Sequence, residues 1–206
     1  MSRYVGPICK LCRREGIKLF IKGERCYTEK CAIEKRNYPP GQHVDTRSKV
    51  MEYAMRLREK QRARRIYGLS DKQFRRFFVM AERKEGITGT NFLIILERRI
   101  DNMVFRLGFA TSRGEARQLV SHKHIAVNGR TVNSSSYLVK VGDVIEVRHK
   151  NLPSVINALE SVVRRGVPAW IDLDKDNMKG TIKLFPTRDD ISLPIKEQLI
   201  VEYYSR

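Results

Sequence analysis

The sequence lacks long apolar runs. Its longest stretch without a charged residue spans residues 86–96, eleven residues, whereas a helix that crosses a bilayer needs roughly 20 apolar residues. The N-terminal sequence Met1-Ser2-Arg3-Tyr4 has no apolar core of the kind found in a secretory signal. We therefore expect neither an integral membrane protein nor a secreted one, and we predict a cytoplasmic location.

Acidic residues are also scarce. The 206 residues include 41 Lys and Arg but only 23 Asp and Glu, which gives a formal net charge of +18. The surplus belongs to the first three quarters of the chain, because residues 151–206 contain eight basic and eight acidic residues. This balance predicts a polyanionic partner for the first three quarters and a scaffold role for the last quarter.

Sequence signatures of the common enzyme classes are missing. We find no P-loop, no dinucleotide-binding fingerprint and no nucleophile elbow in the chain. Internal repeats and low-complexity segments are missing as well. We therefore predict a protein without enzymatic activity, without a small-molecule substrate and without a membrane partner.

The spacing of apolar residues predicts a mixed chain of the α+β class. Helices are predicted over residues 50–67, from 71 to just before 86, about 90–107, 112–121 and 151–165. Short strands are predicted over residues 125–128, 130–132, 138–141, 144–147, 170–173, 181–185 and 199–203. Ser70 and Ser112 each begin a capping box, and Asn128-Gly129 predicts a tight hairpin turn.

The chain has four cysteines, all of them in the N-terminal segment. Cys9 and Cys12 form one close pair, and Cys26 and Cys31 form another thirteen residues further on. Two such pairs can wrap a tetrahedral metal ion, and four ligands would leave no open coordination position. We predict one structural zinc ion per chain. Two disulfides, four unligated thiols and an iron–sulfur cluster are the alternatives.

The predicted helix 50–67 is unusually cationic. Its apolar stripe of Val50, Ala54 and Leu57 is narrow, cations flank it on both sides, and two tyrosines stand among the cations of one side. Guanidinium groups suit phosphates and aromatic rings suit bases, so this pattern predicts RNA or DNA contact rather than a merely solvated face. The candidate residues are Tyr53, Arg56, Arg58, Lys60, Arg62, Arg64, Arg65 and Tyr67.

A second cationic ridge is predicted on the helix that begins after Ser112. Arg113 and Arg117 lie on one side of this helix, and His122, Lys123 and His124 follow its end. Histidines at this spacing can bind metal or exchange protons, but no carboxylate stands nearby to orient them, so we predict polar RNA contacts instead. The remaining candidates for the RNA surface are Arg3, Arg13, Arg14, Arg47 and Lys49.

Several segments resemble a known family. Residues 98–110, residues 112–120 and residues 124–129 are similar to the signature segments of the small RNA-binding domain named after ribosomal small-subunit protein four. Residues 3–7, 38–43, 57–61 and 202–206 match the family's flanking sequences, so the resemblance covers essentially the whole chain. The chain resembles the bacterial-type family of ribosomal small-subunit protein four in its zinc-bearing four-cysteine form. Gly114, Glu115 and Lys123 depart from the residues that relatives carry.

The resemblance implies a structural protein of the small ribosomal subunit. It implies direct binding to the 5′ domain of small-subunit rRNA, a role in nucleating assembly, contact with neighbouring small-subunit proteins, and a place near the site where mRNA enters. It also implies three domains. These are a zinc-binding arm over residues 1–45, a helical scaffold over 46–91 plus 152–206, and an RNA-binding domain over 92–151.

Two other classes of protein compete with this interpretation. The first is an RNA-modifying enzyme with the same small domain, such as a pseudouridine synthase, but the neutral C-terminal quarter is too short for a catalytic domain. The second is a zinc-containing DNA-binding regulator, which would suit residues 1–67. That class leaves the signature segments unexplained.

Overall fold

The computed structural model describes residues 4–41, 51–149 and 151–205. The described residues form two compact units. One contains Met1–Phe92 with Leu193–Arg206, and the other contains Leu93–Ser192. In these described ranges, no helix is long and apolar enough to cross a membrane.

The first unit is helical. Its elements are α1 (Ile8–Glu15), a 3₁₀ helix (Gly23–Tyr27), α2 (Ala32–Lys35), α3 (Glu52–Ile66), α4 (Asp71–Glu82), the start of α5 (Thr88–Glu97), and α9 (Glu197–Tyr204). The predicted cap at Ser70 is confirmed, because its hydroxyl accepts a hydrogen bond of 3.4 Å from the Gln73 N–H and so begins α4.

Aromatic rings fill the core of the first unit. Phe92 meets the rings of Phe74 and Phe78 edge to face at 4.9 and 5.6 Å, and Phe78 lies 4.5 Å from the ring of Tyr204 on α9. The strand predicted over residues 199–203 is wrong, because this segment belongs to α9 and packs against α3. A strand needs a ladder partner, and every described strand lies in the second unit.

The second unit combines helices with one antiparallel sheet. Its helices are α6 (Ile100–Arg106), α7 (Arg113–Ser121) and α8 (Pro153–Arg165), and its strands are β1 (Ile125–Val127), β2 (Arg130–Thr131), β3 (Val144–Val147), β4 (Ile171–Asp174) and β5 (Lys179–Ile182). The strand order is β2-β1-β3-β5-β4. The α+β class is thereby confirmed, and α6 and α7 pack together over a core that includes Val104, Leu119, Ile145 and Trp170.

Glycines shape the sheet at two places. The predicted turn between β1 and β2 is confirmed, since Asn128 and Gly129 adopt φ values of 50° and 75°. Gly180 on β5 lies so close to α6 that a Cβ atom there would stand 2.1 Å from Leu107 Cδ2. Any larger residue at position 180 would therefore force the buried Leu107 side chain to shift.

The single helix predicted over about 90–107 is two helices, α5 and α6. Arg99 between them is extended (φ −67°, ψ 137°) and forms an isolated bridge with Leu138. This bridge is the only β-pairing found in the described residues of the strand predicted over 138–141.

The division into units also differs from the predicted domains. Residues 152–192 join the second unit, because β4 and β5 extend its sheet. The predicted boundary at 45/46 lies outside the described residues.

Candidate metal centre and nucleic-acid interface

The four cysteines line one small cavity in the first unit. Cys9 and Cys12 come from α1, Cys26 from the 3₁₀ helix, and Cys31 from the residue that precedes α2. Cys12, Cys26 and Cys31 are buried, Cys9 is half-buried, and all four are thiols without a disulfide. Three consecutive helical elements and the loops between them thus bring both predicted pairs to one place.

The electrostatics of this cavity suit a cation. Burial raises the pKa of the Cys12 and Cys26 thiols, and negative charge on the neighbouring cysteines raises both further. A bound dication would remove this mutual repulsion and favour the thiolates. In residues 4–41, 51–149 and 151–205, no three His, Cys, Asp or Glu side chains already stand at metal-ligand geometry, so zinc stays a prediction.

A buried carboxylate on α1 forms ion pairs with α3. Glu15, in the last turn of α1, has a fully buried carboxylate that pairs with Arg65 and, at 3.4 Å, with Arg58. Burial raises the pKa of Glu15, and the two arginines act against that rise. Arg13 on the same helix donates from Nε to the Tyr38 carbonyl (2.9 Å) and stacks over the Tyr38 ring. Arg14 is exposed.

Acidic side chains inside the unit match most of the α3 cations. Helix α3 itself contains only two acidic residues, Glu52 and Glu59, but the fold adds Glu15 from α1, Asp71 from α4 and Glu202 from α9. The ion pairs are Arg56 with Glu202 (2.7 Å) and Glu52 (3.2 Å), Lys60 with Asp71 (2.8 Å), and Arg62 with Glu59 (2.7 Å). Arg64 donates to Gln61 at 2.8 Å. Much of the predicted α3 surface therefore holds the unit together.

The two tyrosines predicted on this surface have different environments. Tyr67 is only 2% exposed, so it has no open face for a base, and the structure favours a packing role for it. Tyr53 is 57% exposed, and its ring lies 5.9 Å from that of Tyr203. Of the two rings, only Tyr53 is accessible for stacking.

The two arginines of the ridge predicted on α7 have partners inside the fold. Arg113 is buried, donates from Nε to Asn102 Oδ1 at 2.7 Å, and stacks on the ring of Phe105 at 4.4 Å. Arg117 donates from Nε and Nη2 to Asp101 Oδ2 at 3.1 and 2.8 Å. Both guanidinium groups thus join α7 to α6, because α6 presents an aspartate and an asparagine where the two helices pack.

The predicted cluster at the end of α7 is more extensive than expected. His122 and Lys123 are exposed, and the rings of His122 and His124 stack at 6.2 Å. The strand pairing of β1 with β3 adds His149, 5.7 Å from His124, and Arg148, whose N–H donates to the His124 carbonyl. Burial, helped by the neighbouring His149, His122 and Arg148, lowers the pKa of His124. Sequence reasoning missed Arg148 and His149 because they are distant in the chain.

Two further points complete the comparison with the predicted sites. Arg3, Arg47 and Lys49 lie outside the described residues. One cationic helix was missed: α4 exposes Lys72, Arg75, Arg76 and Arg83. The spacing of Lys72, Arg75 and Arg76 along α4, with Arg83 at its C-cap, is the sequence signal that indicates this cationic face.

The first unit is helical and carries the clustered cysteines, and the second has two packed helices, a sheet and an exposed basic cluster; this arrangement suits an RNA-binding protein. Residues 3–97 match the family model described as Ribosomal protein S4/S9 N-terminal domain, and residues 98–145 match that of the S4 domain. The small ribosomal subunit protein uS4 of Geobacter sp. (strain M21) is 59% identical over 208 residues, covering 100% of both chains. That of Caldicellulosiruptor saccharolyticus is 60% identical over the same extent.

The chain belongs to the family of small ribosomal subunit protein uS4. It is therefore a ribosomal protein of the small subunit with an rRNA-binding S4 domain, and its role is structural rather than enzymatic. This confirms the predicted class and absence of catalysis, and it removes the RNA-modifying enzyme and the DNA-binding regulator as alternatives.

Proposed function

We propose that this chain binds the 5′ domain of small-subunit rRNA directly, helps to nucleate assembly of the subunit, and lies near the site where mRNA enters, in contact with neighbouring small-subunit proteins. The observation that carries the proposal is the likeness to uS4 proteins over the full length of the chain. The charge distribution supports it, because the net charge of +18 needs a polyanionic partner.

The arrangement of charges indicates two roles for the cations, one structural and one in RNA binding. Matched cations such as Arg56, Arg65 and Arg117 hold helices in place. Exposed cations such as Arg14 and Lys123 remain accessible to phosphate. Rigid presentation of exposed cations lowers the entropy lost on binding, which favours a protein that captures RNA early in assembly.

We propose further that Cys9, Cys12, Cys26 and Cys31 hold one structural zinc ion. Their shared cavity and the mutual repulsion of their thiolates support this. The ion would tie α1 to the residues that precede α2, and α1 carries the buried Glu15 that pairs with α3. Metal analysis of the reduced protein should return one zinc per chain, and a value far below one would contradict the proposal.

Sedimentation tests the ribosomal role. The purified protein, mixed with small-subunit particles assembled without it, should co-sediment with them after a high-salt wash. The control variant is Lys175→Ala, which removes an exposed charge from the neutral C-terminal quarter. This variant should sediment like the parent chain. Complete loss of the parent protein in the high-salt wash would contradict stable incorporation.

A further inference from the structure

Helix α4 has two distinct faces. Phe74, Phe77, Phe78 and Ala81 are buried in the core of the first unit. On the opposite side, Lys72, Arg75, Arg76 and Arg83 are all exposed, and we refer to these four residues as the α4 stripe. The stripe thus occupies the solvent face of an otherwise well-packed helix.

The charge of the α4 stripe is unmatched within the described part of the chain. Asp71 is engaged by Lys60 at 2.8 Å, and Glu82 is the other acidic residue on the helix. Among the described residues, no ion pair or hydrogen bond involves the side chain of Lys72, Arg75, Arg76 or Arg83. The cations of α3 differ, because Glu15, Asp71 and Glu202 reach them from other helices.

Helix geometry aligns three members of the stripe. At 100° per residue, Lys72, Arg76 and Arg83 lie within about 40° of one another, and at a rise of about 1.5 Å per residue they span roughly 16 Å. Arg75 lies on the flank of this line. Such a row of charges matches the extended spacing of phosphates along a nucleic-acid strand better than it matches a single compact anion.

The packing beneath the stripe keeps it rigid. Phe74 and Phe78 contact Phe92 and Tyr204 at ring distances of 4.5–6.5 Å, and Ser70 caps the N-terminus of the helix. The cations therefore remain close together in the unbound chain and repel one another. Phosphates would relieve that repulsion, and binding would have to order only the exposed side chains and not the helix that carries them.

We infer that the α4 stripe binds the phosphate backbone of rRNA. This inference rests on the proposed function and names a contact surface that the sequence pattern did not assign. The stripe carries no aromatic ring, so the contact positions the RNA without reading its bases. The predicted surface on α3 then contributes mainly structure, and α4 supplies a larger share of the electrostatic affinity.

The test compares two triple variants of the full-length chain. Lys72→Ala/Arg76→Ala/Arg83→Ala removes three charges from the stripe. Lys175→Ala/Lys179→Ala/Lys183→Ala removes three charges from exposed positions around β4 and β5 and serves as the control. Binding to a transcript of the 5′ domain of bacterial small-subunit rRNA is measured by filter retention between 50 and 200 mM salt. Thermal unfolding confirms that both variants are folded.

Each neutralised phosphate contributes about 0.7–0.9 to the slope of log affinity against log salt, so the stripe variant should lose about 2–2.7 units of slope. Over this fourfold range of salt, the parent chain should then lose about 15- to 40-fold more affinity than the stripe variant. The control should keep the parent slope within about one unit.

Two other results have distinct meanings. Equal slopes for the stripe and control variants, with the parent chain still binding the transcript, would overturn the inference about α4 and leave the proposed function standing. A parent chain that does not prefer the 5′-domain transcript to an unrelated RNA of equal length would contradict the proposed function, whereas the difference in slope between the stripe and control variants would still decide whether α4 contacts phosphates.

Discussion

Asp101 offers the sharpest test of the structural role of the α7 arginines. Its carboxylate accepts hydrogen bonds from Arg99 Nε and Nη2 (3.0 and 2.7 Å), from Arg117 Nε and Nη2 (3.1 and 2.8 Å), and from the Asn102 N–H (2.9 Å). Arg99 is fully buried, and the Asp101 side chain is 4% exposed. We predict that Asp101→Asn strongly destabilises the second unit.

The magnitude follows from burial. Removing one partner of a buried ion pair costs about 3–5 kcal/mol, because the other charge stays desolvated. Arg99 keeps its hydrogen bond to the Ser135 carbonyl at 3.1 Å, and Arg117 is 16% exposed and can reach water. We therefore expect about 3 kcal/mol. With a urea m-value of about 1–3 kcal/mol/M, the unfolding midpoint should fall by roughly 1–3 M.

The assay uses the only tryptophan of the chain. Trp170 lies in the core of the second unit at 6% exposure, so its fluorescence reports unfolding of that unit. Asp172→Asn is the matched control, because Asp172 is exposed and pairs with exposed Lys183 at 3.2 Å. The control should change stability by less than about 1 kcal/mol. If Asp101→Asn shifts the midpoint no more than the control does, the structural role assigned to Asp101 is refuted.

Three further predictions concern the two tyrosines of the predicted α3 surface, His124, and the cysteine cluster. Tyr67→Ala should lower the free energy of unfolding by about 3–5 kcal/mol, as for other buried aromatic residues, and should keep the preference for cognate RNA. If the ring of Tyr53 stacks on a base, Tyr53→Ala should weaken the preference for cognate RNA and leave stability nearly unchanged. The pKa of His124 is lowered in the folded chain, so the unfolded chain takes up a proton first as the pH falls. The stability of the second unit should therefore decline below about pH 6.5. His124→Gln should make this decline smaller when urea midpoints are measured from pH 8 to pH 5. Cys26→Ser should abolish stoichiometric zinc and reduce helical circular dichroism, while the Trp170 unfolding transition stays unchanged.

Local signals in the sequence predicted much of the fold. The caps at Ser70 and Ser112 and the Asn128-Gly129 turn depend on neighbouring residues only, and the structure confirms all three. Elements that depend on distant partners were harder to predict. The segment 199–203 has strand-like composition but becomes part of α9, because α3 offers it a packing surface and no described strand lies in that unit.

The same distinction explains the candidate site. The spacing of the cysteines predicted a shared location, and the cavity brings the four together. The role of each arginine could not be predicted from its own helix, because its acidic partner comes from elsewhere in the fold. Arg65 meets Glu15 fifty positions away, and Arg56 meets Glu202. Composition gives the number of cations, but only the fold shows which of them remain exposed.

Hydroxyl-radical footprinting on naked small-subunit rRNA tests the central claim most directly. The parent chain, added to the full-length rRNA without other proteins, should protect a compact set of riboses confined to the 5′ domain. The Lys72→Ala/Arg76→Ala/Arg83→Ala variant should lose a contiguous part of that protection. Protection scattered over all domains, or seen only when other ribosomal proteins are present, would contradict direct recognition of the 5′ domain.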